Sequence, residues 1–213
     1  MMDSPHPTPP APEEPAVAVT GDTHARILAA AARLILGSGL EFPMSRLARE
    51  AGVAVGSIYN HFPSKHHLIV GIYRDIAEQI EAALTVAPPA AATPEARIMA
   101  YIHAYIDFFW SDPDRAILFE YLSNAPLIAT PEVAGLFKAL RRYNSGLFAE
   151  AQAQGILKPM PPRAMAGFVG GGIRNALRWH RIDKRPLTDA QRNDIARMCW
   201  AAIARAPDPV GAE

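Results

Sequence analysis

The chain has 213 residues, half of them apolar and a fifth charged, enough to bury a core in one domain or two small ones. Lys plus Arg equals Asp plus Glu at 21 each, which excludes a uniformly basic nucleic-acid coat and an acidic solvating tail but permits a local basic patch. A single cysteine, Cys199, excludes an intrachain disulfide framework and a multi-cysteine metal site, and reads as a buried thiol in an apolar helix. The longest apolar run, Ile27 to Leu36, is broken by Arg33 and falls short of a membrane span, and the proline-rich acidic start is unlike a signal peptide, so a cytoplasmic protein without membrane contact is expected.

Residues 1–20 carry prolines at positions 5, 7, 9, 10, 12 and 15, a density that blocks helix and sheet ladders and predicts a disordered tail. From Asp22, a plausible N-cap, Ile27, Ala30, Ala31 and Leu34 recur at helical spacing, and Gly37 and Gly39 offer a stop. A second helix fits Ser45 to Ala51, with Pro43 near its start and Gly52 after it. A third fits Val55 to His61, with Ile58 and Phe62 as anchors. Ser64 caps a long fourth helix, Lys65 to about Val86, whose Leu68, Ile69, Ile72, Ile76 and Ile80 share one side. Ala87 to Pro94 reads as a loop. Five further helices are expected: Ala96 to Trp110, Asp112 to about Asn124, Pro131 to about Gln154, Arg163 to about Arg181, and one capped by Thr188 and running to about Ala206. No period of two competes with the helical period, so the fold class is all-α.

Helices two and three are separated by a turn too short for antiparallel packing, which is the helix-turn-helix arrangement. Its second helix enters the major groove, so its outer face must be small or polar. Val55, Gly56, Ser57, Tyr59, Asn60 and His61 supply that face; Gly56 and Ser57 leave room, and Tyr59 and His61 reach phosphates. Between Ser45 and Arg74 the basic residues Arg46, Arg49, Lys65 and Arg74 outnumber the acidic residues in or beside that span, Glu50 and Asp75, the electrostatic footprint of a DNA-facing module.

The run from Ser45 to Lys65, with its Ala-Gly-Val, Gly-x-x-Tyr-x-His-Phe and Lys-x-x-Leu elements, preceded by Ile-Leu-x-Ala-Ala-x-x-Leu in helix one, resembles the N-terminal domain of the TetR family of bacterial transcriptional regulators over about sixty residues, Thr23 to Ala83. The resemblance implies a helix-turn-helix domain over 21–83, with the motif at about 45–64, and a helical effector-binding and dimerisation domain over 87–207. It implies phosphate contacts from Tyr59 and Lys65, base or sugar-phosphate contacts from Val55, Gly56, Ser57 and Asn60, and a backbone-facing or packed ring at His61. The chain departs from the family pattern at Ala54, where a capping Ser or Thr is usual, and at Met44, where Ser45 stands in for a phosphate-contacting threonine. The implied partners are a palindromic double-stranded operator, a second copy of the chain and a small-molecule effector; no cofactor, metal or catalytic residue is expected.

In the C-terminal part, Phe108, Phe109, Trp110, Phe119, Tyr121, Tyr143 and Phe148 concentrate in the middle helices, either lining an apolar cavity or packing as plain core. The residues assigned to a pocket are Tyr105, Phe109, Phe119, Tyr143 and Phe148, with Arg142 or Asn175 as polar anchors. Gly170, Gly171 and Gly172, inside an expected helix, signal either close approach of a helix or ligand, or a kink. The last helix, with Ile195, Met198, Cys199, Ala202 and Ile203, and its predecessor form either a two-fold seam or an ordinary hairpin. His103 and Asp107, spaced i, i+4, form a possible metal-ligand pair or a satisfied surface pair. The alternative to a regulator is a helical ligand-binding protein or enzyme with a coincidental helix-turn-helix.

Overall fold

A computed structural model describes residues 22–86, 89, 92–124 and 131–205. The expected tail at 1–20 and most of the Ala87–Pro94 loop lie outside these residues. Among the described residues the regular structure is helical, with one isolated antiparallel bridge between Leu157 and Ala204.

The first helix, α1 (Thr23–Ser38), is capped by the Asp22 carboxylate, which accepts from the His24 amide at 3.0 Å. Gly39 ends it with φ +71°, a conformation that glycine adopts without steric cost. Helix α2 (Met44–Ala51) begins one residue before the expected start, and Pro43 occupies its N-cap rather than its first turn. Helix α3 (Val55–His61) has the expected bounds, and Ala54 gives it no side-chain cap. Ile27, Ala30, Ala31 and Leu34 of α1, Leu47, Ala48 and Ala51 of α2, and Ile58 and Phe62 close one apolar centre.

Helix α4 (Lys65–Leu84), capped by Ser64, passes from this three-helix unit to the rest of the chain. Its Ile69, Ile72, Ile76 and Ile80 are buried, and it packs on α5 (Pro94–Trp110), α6 (Pro113–Ser123), α7 (Pro131–Leu136) and α8 (Lys138–Ala153). Helix α5 is central, touching α4, α6, α8, α9 (Pro162–Ile182) and α10 (Asp189–Ile203).

The helix expected from Pro131 to Gln154 is two helices. The chain turns at Phe137, whose half-buried ring packs 5.0 Å from Tyr73 and 6.0 Å from Phe119, so the packing of one aromatic side chain accompanies the break in an otherwise helical run. Helix α10 stops at Ile203, short of Ala206, because the segment after α8 takes over its last carbonyls: the Lys158 amide donates to Ile203 at 2.9 Å and its ammonium to Ala202 at 2.7 Å. The start of α10 follows expectation, with a reciprocal Thr188–Gln191 capping box.

The glycine triplet does not kink α9, which runs unbroken from Pro162 to Ile182. Gly170 answers to close approach: a Cβ there would sit 2.9 Å from the Tyr105 hydroxyl. Gly171 and Gly172 meet nothing and widen the outer face of α9.

Candidate nucleic-acid interface

The three residues Gly52-Val53-Ala54 join α2 to α3. Gly52 is left-handed, φ +64° and ψ +41°, and its amide donates to carbonyls of the last turn of α2. The turn is held from outside by Arg26 of α1, which donates to the carbonyls of Ala51 at 2.6 Å and Gly52 at 2.9 Å. A guanidinium at a helix C-terminus satisfies orphan carbonyls and complements the helix dipole. The sequence reading missed Arg26. Its signal was faint, a cation off the apolar stripe of α1.

With Ile58 fully buried as the anchor, the opposite side of α3 faces solvent. Val55 and Tyr59, 39% and 47% exposed, stand one turn apart, with Gly56, Asn60 and His61 exposed beside them and Ser57 half-buried. This strip carries no acidic residue. Ser45 and Arg46 at the start of α2 are exposed too, and Arg46 donates to the Ser38 hydroxyl at 3.1 Å. Glu50, the one acidic residue of α2, is paired with Arg33 at 3.1 Å, which reduces its repulsion of a polyanion.

His61 and Phe62 pack around His24 at the start of α1: the His24 and Phe62 rings stack at 4.7 Å and His61 meets His24 edge-on at 5.8 Å. Lys65 is half-buried, and its ammonium donates to the Phe42 carbonyl at 2.9 Å and lies 4.5 Å from the centre of the Phe42 ring. One of its three N–H donors is thereby committed, and the others remain for a phosphate. Lys65 is thus a brace of the loop before α2 as well as a surface cation.

The residues assigned to an aromatic pocket fall into two groups. Tyr105, Phe109, Phe119 and Phe148 are buried and Tyr143 half-buried. Tyr105 and Phe109 lie 5.0 Å apart, Phe109 and Phe119 5.1 Å, in tilted and edge-on geometry. Arg142 and Asn175 are corrected: both are exposed, because their register turns them away from the cluster. The charged group that reaches the cluster is instead Arg174, one residue earlier in α9. It donates to the Tyr105 hydroxyl and to the Glu120 carboxylate at 2.7 Å, and its guanidinium lies 5.2 Å from the Phe119 ring centre. Burial pushes the Tyr105 hydroxyl above its ordinary range, with Arg174 opposing, so the tyrosine stays neutral. Gly170, one turn before Arg174, makes the space for Tyr105 and was the readable trace of this network.

A cavity of about 700 Å³ lies elsewhere, between α1, α4 and α6 at the junction of the two halves. Asp107 of the His103–Asp107 pair is ion-paired with Arg192. No helix among the described residues is long and apolar enough to cross a membrane.

On the outer side of α9 and α10, Phe168, Trp179, Ile182 and Met198 are 53–63% exposed, around the open Gly171 and Gly172. Ile195, expected in a two-fold seam, is buried inside the chain and unavailable for one.

Residues 27–72 match the family model described as bacterial regulatory proteins, tetR family. Over 131 residues the chain is 30% identical to the HTH-type transcriptional repressor KstR of Mycolicibacterium smegmatis, covering 61% of this chain and 63% of that protein. It is equally similar to the protein of the same name from Mycobacterium tuberculosis, covering 58% of it. The match thus spans less than two thirds of the length of these curated relatives. The fold is shared with a TetR family transcription regulator from Marinobacter aquaeolei, at TM-score 0.76 and 18% identity over 86% of this chain and 96% of that one. It is shared also with a regulatory protein in the tetR family from Rhodococcus, at TM-score 0.72 and 18% identity over 88% and 100%. The helix-turn-helix geometry and the family model laid across it lead to one assignment: residues 27–72 form the helix-turn-helix domain of bacterial regulatory proteins of the tetR family, and the chain around them shares the fold of tetR-family structures.

Proposed function

We propose that the chain is a one-component transcriptional repressor that binds a palindromic operator as a homodimer and is released by a small-molecule effector. The observation that carries this is the α3 strip, where Val55, Gly56, Tyr59, Asn60 and His61 lie exposed on one side of a helix whose other side is locked down by Ile58. Small residues let the backbone approach the groove, Tyr59 and Lys65 position the unit on phosphates, and Val55, Ser57 and Asn60 meet base edges. Val55 reads shape or a thymine methyl and no hydrogen-bond pattern. The repressor names of the two relatives support repression over activation.

The apolar outer face of α9 and α10 is the seam of the dimer in this reading. Two copies joined there present two α3 helices, which must meet grooves about 34–36 Å, or a multiple of one turn, apart. Helix α4 links the two activities, with Lys65 at one end and Ile76 and Ile80 buried against the following helices at the other. A hundredfold loss of operator affinity requires about 2.7 kcal/mol of coupling, within the usual range.

The deciding experiment is selection of genomic fragments by the purified full chain, followed by footprinting. A protected two-fold symmetric site supports the reading. Affinity that does not vary with sequence would replace it with a non-specific DNA binder, and no DNA affinity would remove it.

A further inference from the structure

The cavity between α1, α4 and α6 lies apart from the proposed dimer seam and shares only His61 with the DNA-facing strip of α3. Its floor is apolar and shallow in side chain. Leu28, Ala29, Ala32 and Leu36 recur along one side of α1, and Val70 and Gly71 of α4 and Leu118 of α6 complete it. Leu28, Ala32, Leu36 and Gly71 are half-buried and Ala29 is exposed, so the depth comes from the alanines, while Gly71 admits the Phe62 ring, which would lie 2.8 Å from a Cβ there.

The rim has a sign. Five carboxylates line the groove, those of Asp22, Asp75, Glu78, Asp112 and Asp114, against three guanidinium groups, those of Arg33, Arg74 and Arg115. Two of the three cations are engaged. Arg33 pairs with Glu50, which is not part of the groove, and Arg115 pairs with Asp112, donates to the Phe108 carbonyl and lies 4.0 Å from the Phe108 ring centre. Asp75, Glu78 and Asp114 make no ion pair among the described residues. An apolar floor under carboxylates that outnumber the guanidinium groups, with Asp75 also accepting from the Gln79 amide at 2.9 Å, matches an apolar body with a positive head, and repels an anionic one.

The position matters as much as the charge. The aromatic residues expected to hold an effector lie largely inside the core, with Phe109 and Phe148 at 1% and 0% exposure. The groove instead has the unit carrying α3 on one wall, including His61 and Phe62 at the end of α3, and α6 on the other. The Tyr73 hydroxyl bonds to Ser123 at 2.8 Å and Arg115 reaches Gln79 at 3.3 Å, so α6 is tied to α4 beside the groove. A molecule seated there sets the distance between α6 and the helices that aim α3.

We propose that this junction groove is the effector site and that it takes an amphipathic organic cation, an apolar chain or ring system bearing an ammonium group. Release of DNA by that cation rests on the repressor reading above; binding of the cation does not.

The test titrates the full chain calorimetrically at low salt with decyltrimethylammonium below its micellar concentration, beside decyl sulfate and a neutral decyl glycoside. The expected result is saturable binding of one cation per chain, tighter than either control and weakened by added salt. Ala29→Phe, which fills the groove, should abolish it. The exposed triple variant Asp75→Asn, Glu78→Gln, Asp114→Asn should weaken it about tenfold, a few-fold for each rim carboxylate, with the melting curve retained. The triple variant carries the test if Ala29→Phe fails to fold. Equal binding of the decyl sulfate, unchanged affinity in either folded variant, or no saturable binding would each overturn the proposal. Sequence-specific DNA binding without cation binding sinks the groove alone, whereas cation binding without DNA binding sinks the repressor reading and leaves the groove.

Discussion

Arg26 and Gly52, on different helices, are fitted to one another: the guanidinium donates to the glycine carbonyl at 2.9 Å, and a Cβ on the glycine would lie 2.8 Å from the same nitrogen. The turn that orients α3 is thus defined by a left-handed backbone and by a cation from α1 that occupies the space a side chain would need. Gly52→Ala is expected to cost about 1–2 kcal/mol for the left-handed alanine alone, and to displace the guanidinium as well. Arg26→Met should also lower the melting temperature and weaken DNA binding, since α3 loses its outer brace. Thermal denaturation and operator titration of both variants check this; wild-type values for Arg26→Met would show that the clamp is dispensable.

Lys65→Ala is expected to act twice. Loss of a phosphate contact should weaken binding to every DNA sequence and lower the dependence of log affinity on log salt by about one unit per half-site. Loss of the Phe42 bond and ring contact should loosen the loop before α2. Tyr59→Phe, at an exposed position, should lower affinity without changing stability. Salt titrations of the three proteins separate the effects, and an unchanged slope in Lys65→Ala would confine this lysine to its bracing role.

The seam and the core are separable by charge insertion. Met198→Glu and Trp179→Glu, on the outer face of α10 and α9, are expected to give folded monomers with reduced operator affinity. Ile195→Glu, buried in the chain at 4% exposure, is expected to unfold it, because a carboxylate there has no partner or solvent. Sedimentation velocity with circular dichroism distinguishes the outcomes; intact dimers of both surface variants would move the interface elsewhere.

Alkaline pH should destabilise the chain through its buried acids. Burial pushes the Cys199 thiol up from 9.0 to about 11, so the unfolded chain loses this proton first. The associated stability is complete below pH 9 and lost as the pH rises through about 11. Burial raises the Tyr101 and Tyr105 hydroxyls in the same direction. At pH 8 the native thiol should react with an alkylating reagent about a hundredfold more slowly than the unfolded one, from its thiolate fraction alone. Equal labelling rates would mean that Cys199 is accessible and ordinary.

The helical class, the bounds of α3, the Asp22, Ser64 and Thr188 caps and the anchoring roles of Ile58 and Phe62 were all legible in the sequence, because each depends on residues within a turn or two of one another. The exposed strip of α3 was legible for the same reason: once Ile58 is inside, helical geometry turns Val55, Tyr59 and Asn60 outward. Interactions between helices distant in the chain were not legible. Arg26 reaches 26 positions to Gly52, and Arg174 reaches 54 to Glu120; nothing in the local pattern separates Arg174 from the neighbouring Asn175, which helix register sends to solvent. The break at Phe137 accompanies the packing of its ring on Tyr73 and Phe119, against a helical propensity that continued through it. The position of the groove was decided by packing alone. Whether an apolar stripe closes against a neighbour or stays open is set by how three helices meet, and only their tertiary arrangement left Ala29 and Ala32 of α1 beside an open groove with α4 and α6.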